Sequence, residues 1–380
     1  CQGMGGLLGA GIGAQGATQS MAPSGPARCL LLRPHCRIGV IADVQWCDIE
    51  DGWNYKKTER RAYRGALQAF RRASSWWNDG PDLAVVAQLG DLIDGQCARL
   101  GLTATCFDRA REVLDTIRAP TVLNLIGNHE LYNFSFDALA EQLNTRRGGL
   151  DYYSHSPAPG LRLLVLNGYE LSVIGRERGD ERYEGALKLL KANNPNDVEQ
   201  PGDFTKGLVG LQHRFVPYNG AFGKNQLAWF QEQLLAAERA REKVIVLSHL
   251  LLHPPLPRSE EDKPSTMAFD YEDFIDAIKA RSGVVLAVFS GHDHKGGYHF
   301  VDGVHHITFQ SPLNKGEEGS AFGRVDVHKD RLVIWSPKLE DLLHATALKA
   351  ANQEVLTEEA CEGVLNEGSS FLFPEGVTLE

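Results

Sequence analysis

Five short apolar runs in this chain each stop at residues of the kind that bind metal, and that repetition constrains the fold more than any other feature. The runs are RIGVIA before Asp43-Val44-Gln45, LAVVAQL before Gly90-Asp91-Leu92-Ile93-Asp94, PTVLNLI before Gly127-Asn128-His129-Glu130, KVIVLS before His249, and VVLAVFS before Gly291-His292-Asp293-His294. Runs this short and this rich in Val, Ile and Leu read as buried strands of an α/β protein. Open α/β sheets bind ligands outside the carboxyl ends of their strands, so all of these polar residues belong on one rim.

The residue types limit the chemistry. Carboxylate, amide and imidazole donors, with no thiolate among them, suit divalent ions such as Mn, Fe, Zn or Mg and not a structural thiolate site. A carboxylate can bridge two ions about 3.5–4 Å apart, an arrangement that clamps both oxygens of an in-line displacement at phosphorus. An Asp or Asn at one strand end is equally well explained as a turn or helix cap. Five such blocks in register are not.

In order from Asp43 to His294, the blocks resemble the calcineurin-like metallophosphoesterase superfamily, whose pattern is D-x-H, G-D-x-x-D, G-N-H-[DE], a lone His, and G-H-x-H. Four of the five blocks match. The resemblance implies a four-layer αββα sandwich with two mixed β-sheets and one catalytic domain. It implies one ion held by Asp43, Gln45, Asp91 and His294, and a second held by Asp91, Asn128, His249 and His292, with Asp91 as the bridge. His129 would face the substrate and stabilise or protonate the leaving oxygen, so His129, Asp91 and Asn128 form the implied catalytic group.

The departure is Gln45, where most of the superfamily has His. D-V-Q followed by Trp46-Cys47-Asp48-Ile49-Glu50-Asp51-Gly52-Trp53-Asn54-Tyr55 is similar to the manganese-dependent ADP-ribose/CDP-alcohol diphosphatases. So are Arg60-Arg61-Ala62-Tyr63-Arg64, Tyr218-Asn219-Gly220, Gln226-Leu227-Ala228-Trp229 and Gly303-Val304-His305-His306. This resemblance implies hydrolysis of a nucleoside diphosphate linkage. The alternatives are a phosphomonoesterase, a cyclic-nucleotide phosphodiesterase, or a non-catalytic scaffold on the same fold. A neutral amide oxygen is a harder and weaker donor than imidazole, so two divalent ions with Mn preferred are expected.

Other residues have more local readings. Tyr55, next to Trp46 and Trp53, is a candidate to stack on a nucleobase. His253, four residues after His249, is the candidate to orient a ligand or the substrate. His299, His305 and His306 lie outside the matched positions and read as core histidines. Asp94 reads as a support for the Asp91 loop, and Asp293 as solvent-facing.

Composition sets the outer bounds. A formal net charge of −10 over 380 residues argues against nucleic-acid partners, which need a basic face, and leaves small phosphate esters as the expected ligands. No apolar run approaches the length of a membrane span. Seven scattered cysteines in a chain this large point to a reducing intracellular compartment, with the cytosol expected, and a monomer is the expected state. Residues 1–36 are rich in Gly, Ala, Ser and Pro, lack acidic residues, and read as a disordered tail or a targeting remnant. The catalytic domain is expected over 37–340 and a C-terminal extension over 341–380. Tyr63, Leu67, Phe70, Ser74 and Trp77 recur at helical spacing, as do Leu227, Phe230, Leu234 and Ala237. The segment from Gly175 to Gly223 reads as a long surface insertion, and Gly323–His328 with Arg331–Ser336 as a closing hairpin.

Overall fold

All five apolar runs form strands, and successive side chains along them enter two different cores. The computed structural model describes residues 34–54, 57–257, 263–328, 331–345 and 348, and the backbone of 370–372. In chain order the strands are β1 (Cys36–Ile41), β2 (Gly52–Trp53), β3 (Arg60–Arg61), β4 (Val85–Gln88), β5 (Val122–Asn124), β6 (Tyr153–Ala158), β7 (Leu161–Val165), β8 (Lys243–Ser248), β9 (Val285–Ser290), β10 (Gly297–Val301), β11 (Val304–Thr308), β12 (Phe322–Val327), β13 (Leu332–Trp335) and β14 (Ser370–Leu372). One sheet runs β14-β13-β12-β1-β4-β5 and a second runs β10-β11-β9-β8-β7-β6, while β2 and β3 form a small hairpin.

Both large sheets are mixed. β1, β4 and β5 are parallel, with β12 antiparallel to β1. β7, β8, β9 and β11 are parallel, with β6 and β10 antiparallel at the two edges. Parallel strands carry helices on their connections, so their outer faces are covered as well.

The period-2 alternation shows how the layers are built. Ile38 and Val40 of β1 and Val85 and Ala87 of β4 meet Leu163, Val165, Ile245 and Leu247 of the other sheet in one buried cluster. Ile41, Val86, Leu164, Val244 and Val246 point the opposite way into a cluster with helical residues. Helix Tyr63–Asp79 buries Tyr63, Leu67, Phe70 and Trp77, and helix Gly223–Ala240 buries Phe230, Leu234 and Ala237, which is the spacing the sequence shows. The result is the expected four-layer αββα sandwich.

One expectation needs revision. The segment from Gly175 to Gly223 is not only surface: it holds helix Glu181–Asn193, and its Leu190, Val198, Phe215 and Ala221 pack against Phe269 in a small core of their own. Near its end Asn219 is fully buried. After β13, which pairs with β12 as the expected hairpin, the chain continues into a short helix, Leu339–Leu342, that buries both of its Leu residues.

Candidate metal centre

The ends of β1, β4, β5, β8 and β9 bring the candidate ligands together from both sheets. Asp43 follows β1, Asp91 follows β4, Asn128 opens the helix Asn128–Asn133 after β5, and His249 and His292 follow β8 and β9. Ligand atoms of Asp91, His249 and His292 all lie within 4.8 Å of one another, and all three residues are buried. The close approach explains two glycines of the motifs. A Cβ on Gly127 would sit 2.1 Å from Asp91 Oδ1, and one on Gly291 would sit 2.5 Å from Asp43 Oδ2.

Backbone strain marks the same positions. Eight described non-glycine residues adopt left-handed φ, and four of them are Asp43, Gln45, Asp91 and His292, at φ 53°, 45°, 59° and 65°. Residues of this kind persist only where their surroundings over-determine them. Here the buried Glu130 does so for Asp91: its carboxylate accepts from the backbone N–H groups of Asp91, Leu92 and Gly127.

Three imidazoles have their tautomers set from outside. His249 Nδ1 lies 2.8 Å from the carbonyl of Leu89, which can only accept, so Nδ1 carries the proton. Asn219 Nδ2 donates to the carbonyls of Arg214 and Ser265, both at 2.8 Å, which leaves Asn219 Oδ1 to accept from His292 Nε2 at 2.8 Å. Asn314 Nδ2 donates to Glu59 at 3.1 Å, so Asn314 Oδ1 accepts from His294 Nδ1 at 3.2 Å. The inner nitrogens of all three rings are thereby left with lone pairs.

Those lone pairs converge. His249 Nε2 and His292 Nδ1 are 3.1 Å apart, and His249 Nε2 is 3.4 Å from Asp91 Oδ2. Two unprotonated nitrogens at that distance repel unless a proton or a cation lies between them. Burial opposes charge on His249, and the Asp91 carboxylate outweighs it, pushing its pKa up to about 9. Asp91 is itself held well below the usual carboxylate range: burial works against its charge, and His249 and His129 outweigh that. Asp43 Oδ1 and Asn128 Oδ1 are buried with no hydrogen-bond partner. A divalent cation would supply what these atoms lack, so the donor set fits the two-ion centre.

Gln45 differs from the expectation in one respect. Its amide nitrogen, and not its oxygen, faces the cluster, 2.9 Å from Asp91 Oδ2 and 2.8 Å from His294 Nε2, while Oε1 accepts from Arg61 at 3.1 Å. The N–H groups point where a cation would share the same two acceptors. Presenting oxygen to an ion requires the amide to turn over.

His129 lies beside the cluster with Nε2 4.0 Å from Asp91 Oδ2. Its Nδ1 accepts the backbone N–H of Gly95 at 2.8 Å, and Asp94 Oδ2 is 3.3 Å away. Asp94 thus faces His129 as well as capping its own loop, where it accepts from Gln96 N. His253 belongs to a different group: its ring packs against His299 and His306, with centroids 4.7 and 4.9 Å away, and its Nδ1 meets the Pro254 carbonyl. Tyr55 lies outside the described residues. The thiols of Cys47, Cys97 and Cys106 also converge, but they sit in the apolar core with Trp46, Ile93 and Phe107, where free cysteine acts as a small hydrophobe.

Sequence reasoning missed Asn219, Asn314 and Arg61. Asn219 and Arg61 had a signal, since both lie in segments whose likeness to a subfamily was visible. Asn314 had none.

Comparison with known proteins decides the family. Residues 36–296 match the Calcineurin-like phosphoesterase family. The chain belongs to that family. Among relatives of this phosphoesterase, the manganese-dependent ADP-ribose/CDP-alcohol diphosphatase of Danio rerio is 35% identical over 81% of this chain and 98% of its own length. The proteins of the same name from Homo sapiens and Oryza sativa are 34% and 35% identical, over 78% and 81% of this chain and 88% and 93% of theirs. The crystal structure of a dimetal phosphatase from Danio rerio superposes with a TM-score of 0.73 at 35% identity, over 80% of this chain and 96% of that one. The metallophosphoesterase fold, the hydrolase class and the manganese-type resemblance expected from the D-V-Q block are therefore borne out.

Proposed function

We propose that this phosphoesterase cleaves the diphosphate linkage of ADP-ribose and of CDP-alcohols such as CDP-choline, releasing a nucleoside monophosphate and a phosphorylated sugar or alcohol. The reading is carried by one observation: relatives that share four-fifths of the chain at about a third identity bear that activity in their names. Three histidines whose outer nitrogens are tied to oxygen acceptors, which directs the inner nitrogens to a cation, support it further, because hydrolysis of this kind needs cations at those positions.

In this reading Asp43, Gln45, Asp91 and His294 hold one ion, and Asp91, Asn128, His249 and His292 hold the other. Bound there, two divalent ions lower the pKa of water and neutralise charge building up on phosphoryl oxygens. The protein's own groups do the rest. Leu89, Asn219 and Asn314 keep the ligand rings in the metal-binding tautomer. Glu130 fixes the strained Asp91 turn. Gly95, by donating to His129 Nδ1, keeps the His129 proton on Nε2, the nitrogen on the Asp91 side, from which it can pass to the departing oxygen.

An intracellular, cytosolic setting is part of the proposal and rests on cysteine usage. No described helix is long and apolar enough to cross a membrane. The test is a panel of ADP-ribose, CDP-choline, cyclic AMP and p-nitrophenyl phosphate, assayed with Mn²⁺ and with Mg²⁺. Preference for ADP-ribose or CDP-choline with Mn²⁺ is expected. A preference for the monoester or the cyclic nucleotide would replace this reading with one of those activities.

A further inference from the structure

We infer that Arg61 binds the second phosphoryl group of a diphosphate substrate, the one that the metal centre does not hold. The inference rests on the proposed diphosphatase reading and names a binding residue within it.

Among the described residues, Arg61 stands farther from its counter-ion than its basic neighbours do from theirs. Arg60 lies 2.6 Å from Asp51, Arg64 lies 2.8 Å from Asp48, and Lys295 lies 3.0 Å from Glu59. The carboxylate of Asp94 pairs with Arg61 only at 3.7 Å, through Oδ2, which stands closer to His129 Nδ1, at 3.3 Å. At hydrogen-bond distance Arg61 donates to a neutral amide oxygen, Gln45 Oε1, and it also lies against Tyr63. The side chain remains 22% exposed, and a guanidinium carries more N–H donors than the contact to Gln45 uses.

Beside a loaded metal centre the position favours a further anion. Gln45 links Arg61 directly to a group built to collect divalent cations, and a guanidinium there is repelled by the ions. An anion bridging ions and guanidinium reverses the sign. In the ligand arrangement proposed above, Gln45 turns its amide oxygen to an ion and presents N–H to Arg61, which takes away Arg61's amide acceptor. The freed donors then match a phosphoryl group, whose oxygens suit a planar fork better than an ammonium. A diphosphate offers that second group, whereas a monoester does not.

The test uses the full chain loaded with Mn²⁺, as wild type, Arg61→Gln and Arg61→Lys. Arg61→Gln should lower kcat/KM for ADP-ribose by about 10- to 100-fold more than for p-nitrophenyl phosphate, the range of one or two charge-assisted hydrogen bonds. It should also weaken inhibition of p-nitrophenyl phosphate hydrolysis by inorganic diphosphate far more than inhibition by orthophosphate, and Arg61→Lys should recover part of the loss. Equal losses on both substrates would overturn the inference. So would loss of bound Mn²⁺ by elemental analysis, which would make Arg61 a positioning residue for Gln45. If wild type hydrolyses p-nitrophenyl phosphate and not ADP-ribose, the proposed function fails, while the diphosphate-against-orthophosphate comparison still decides the role of Arg61.

Discussion

Asn219 Oδ1 accepts from His292 Nε2 at 2.8 Å, and the two carbonyls that hold Asn219's amide nitrogen permit no other orientation. This single contact connects a segment outside the strand framework to the metal rim. It decides which nitrogen of His292 is free to bind a cation. Replacing Asn219 by Leu, which keeps the bulk and removes the acceptor, should weaken Mn²⁺ binding about 10- to 100-fold, as loss of a ligand's orienting partner does elsewhere. Mn²⁺ titration against thermal stability distinguishes this from misfolding. Unchanged Mn²⁺ affinity in a folded Asn219→Leu protein would show that the tautomer is fixed by something else.

Asp91 and His129 are predicted to fail in different ways. One Asp91 carboxylate faces His249, Gln45 and the backbone N–H of His129, so Asp91→Ala should strip both ions and abolish turnover. His129→Ala should keep both ions and lose rate by roughly 10²–10⁴-fold, the usual contribution of a positioned acid. Elemental analysis of the two purified variants provides the check. Two ions retained without Asp91 would end its role as bridge, and ions lost without His129 would make His129 a ligand.

Much of the fold and most of this centre were legible because each block sits where a buried strand must stop. Val40, Ala87, Leu247 and Phe289 advertise strands through continuous burial, and the polar residue after each run is then placed by topology alone. Asn314 was illegible because it belongs to a four-residue helix with no periodicity of its own, and its meaning arises only when folding brings it to His294. The Gly175–Gly223 segment misled for a related reason. Its turn residues and charges signal a surface loop, yet Asn219 is buried by partners that lie far off in sequence, such as Ser265.

A group of histidines apart from the metal rim makes acid stability testable. Burial lowers the pKa of His305 from 6.5 to about 4, with Tyr298 OH 3.0 Å from its Nδ1. Between pH 6.5 and 4 the unfolded chain therefore binds a proton here that the folded chain refuses, and stability rises with pH across that window. Full titration of this one residue costs up to roughly 3 kcal/mol as pH falls from 6.5 to 4. Melting temperatures measured across the window should decline less steeply in His305→Gln than in wild type. Parallel curves for the two proteins would remove His305 from the account of acid sensitivity.

Gln45 is the position where sequence and geometry pull in different directions. A resemblance reads it as a ligand through oxygen, while its amide nitrogen here donates to Asp91 and His294. Both acceptors want a cation, and the N–H groups stand in for one. If the oxygen does turn to an ion, it is a weaker donor than imidazole, and that ion should be loosely held, with Mn²⁺ favoured over Zn²⁺. The protein should then require added Mn²⁺, work poorly with Mg²⁺, and lose activity reversibly to chelator. Gln45→His, supplying a ring nitrogen at the same place, should tighten the site and move its preference toward Zn²⁺ or Co²⁺. Arg61 would lose its amide partner in that variant, so metal binding is the cleaner readout than rate. Identical affinity and metal ranking in wild type and Gln45→His would mean that Gln45 never binds the ion and serves as a hydrogen-bond donor that braces Asp91 and His294.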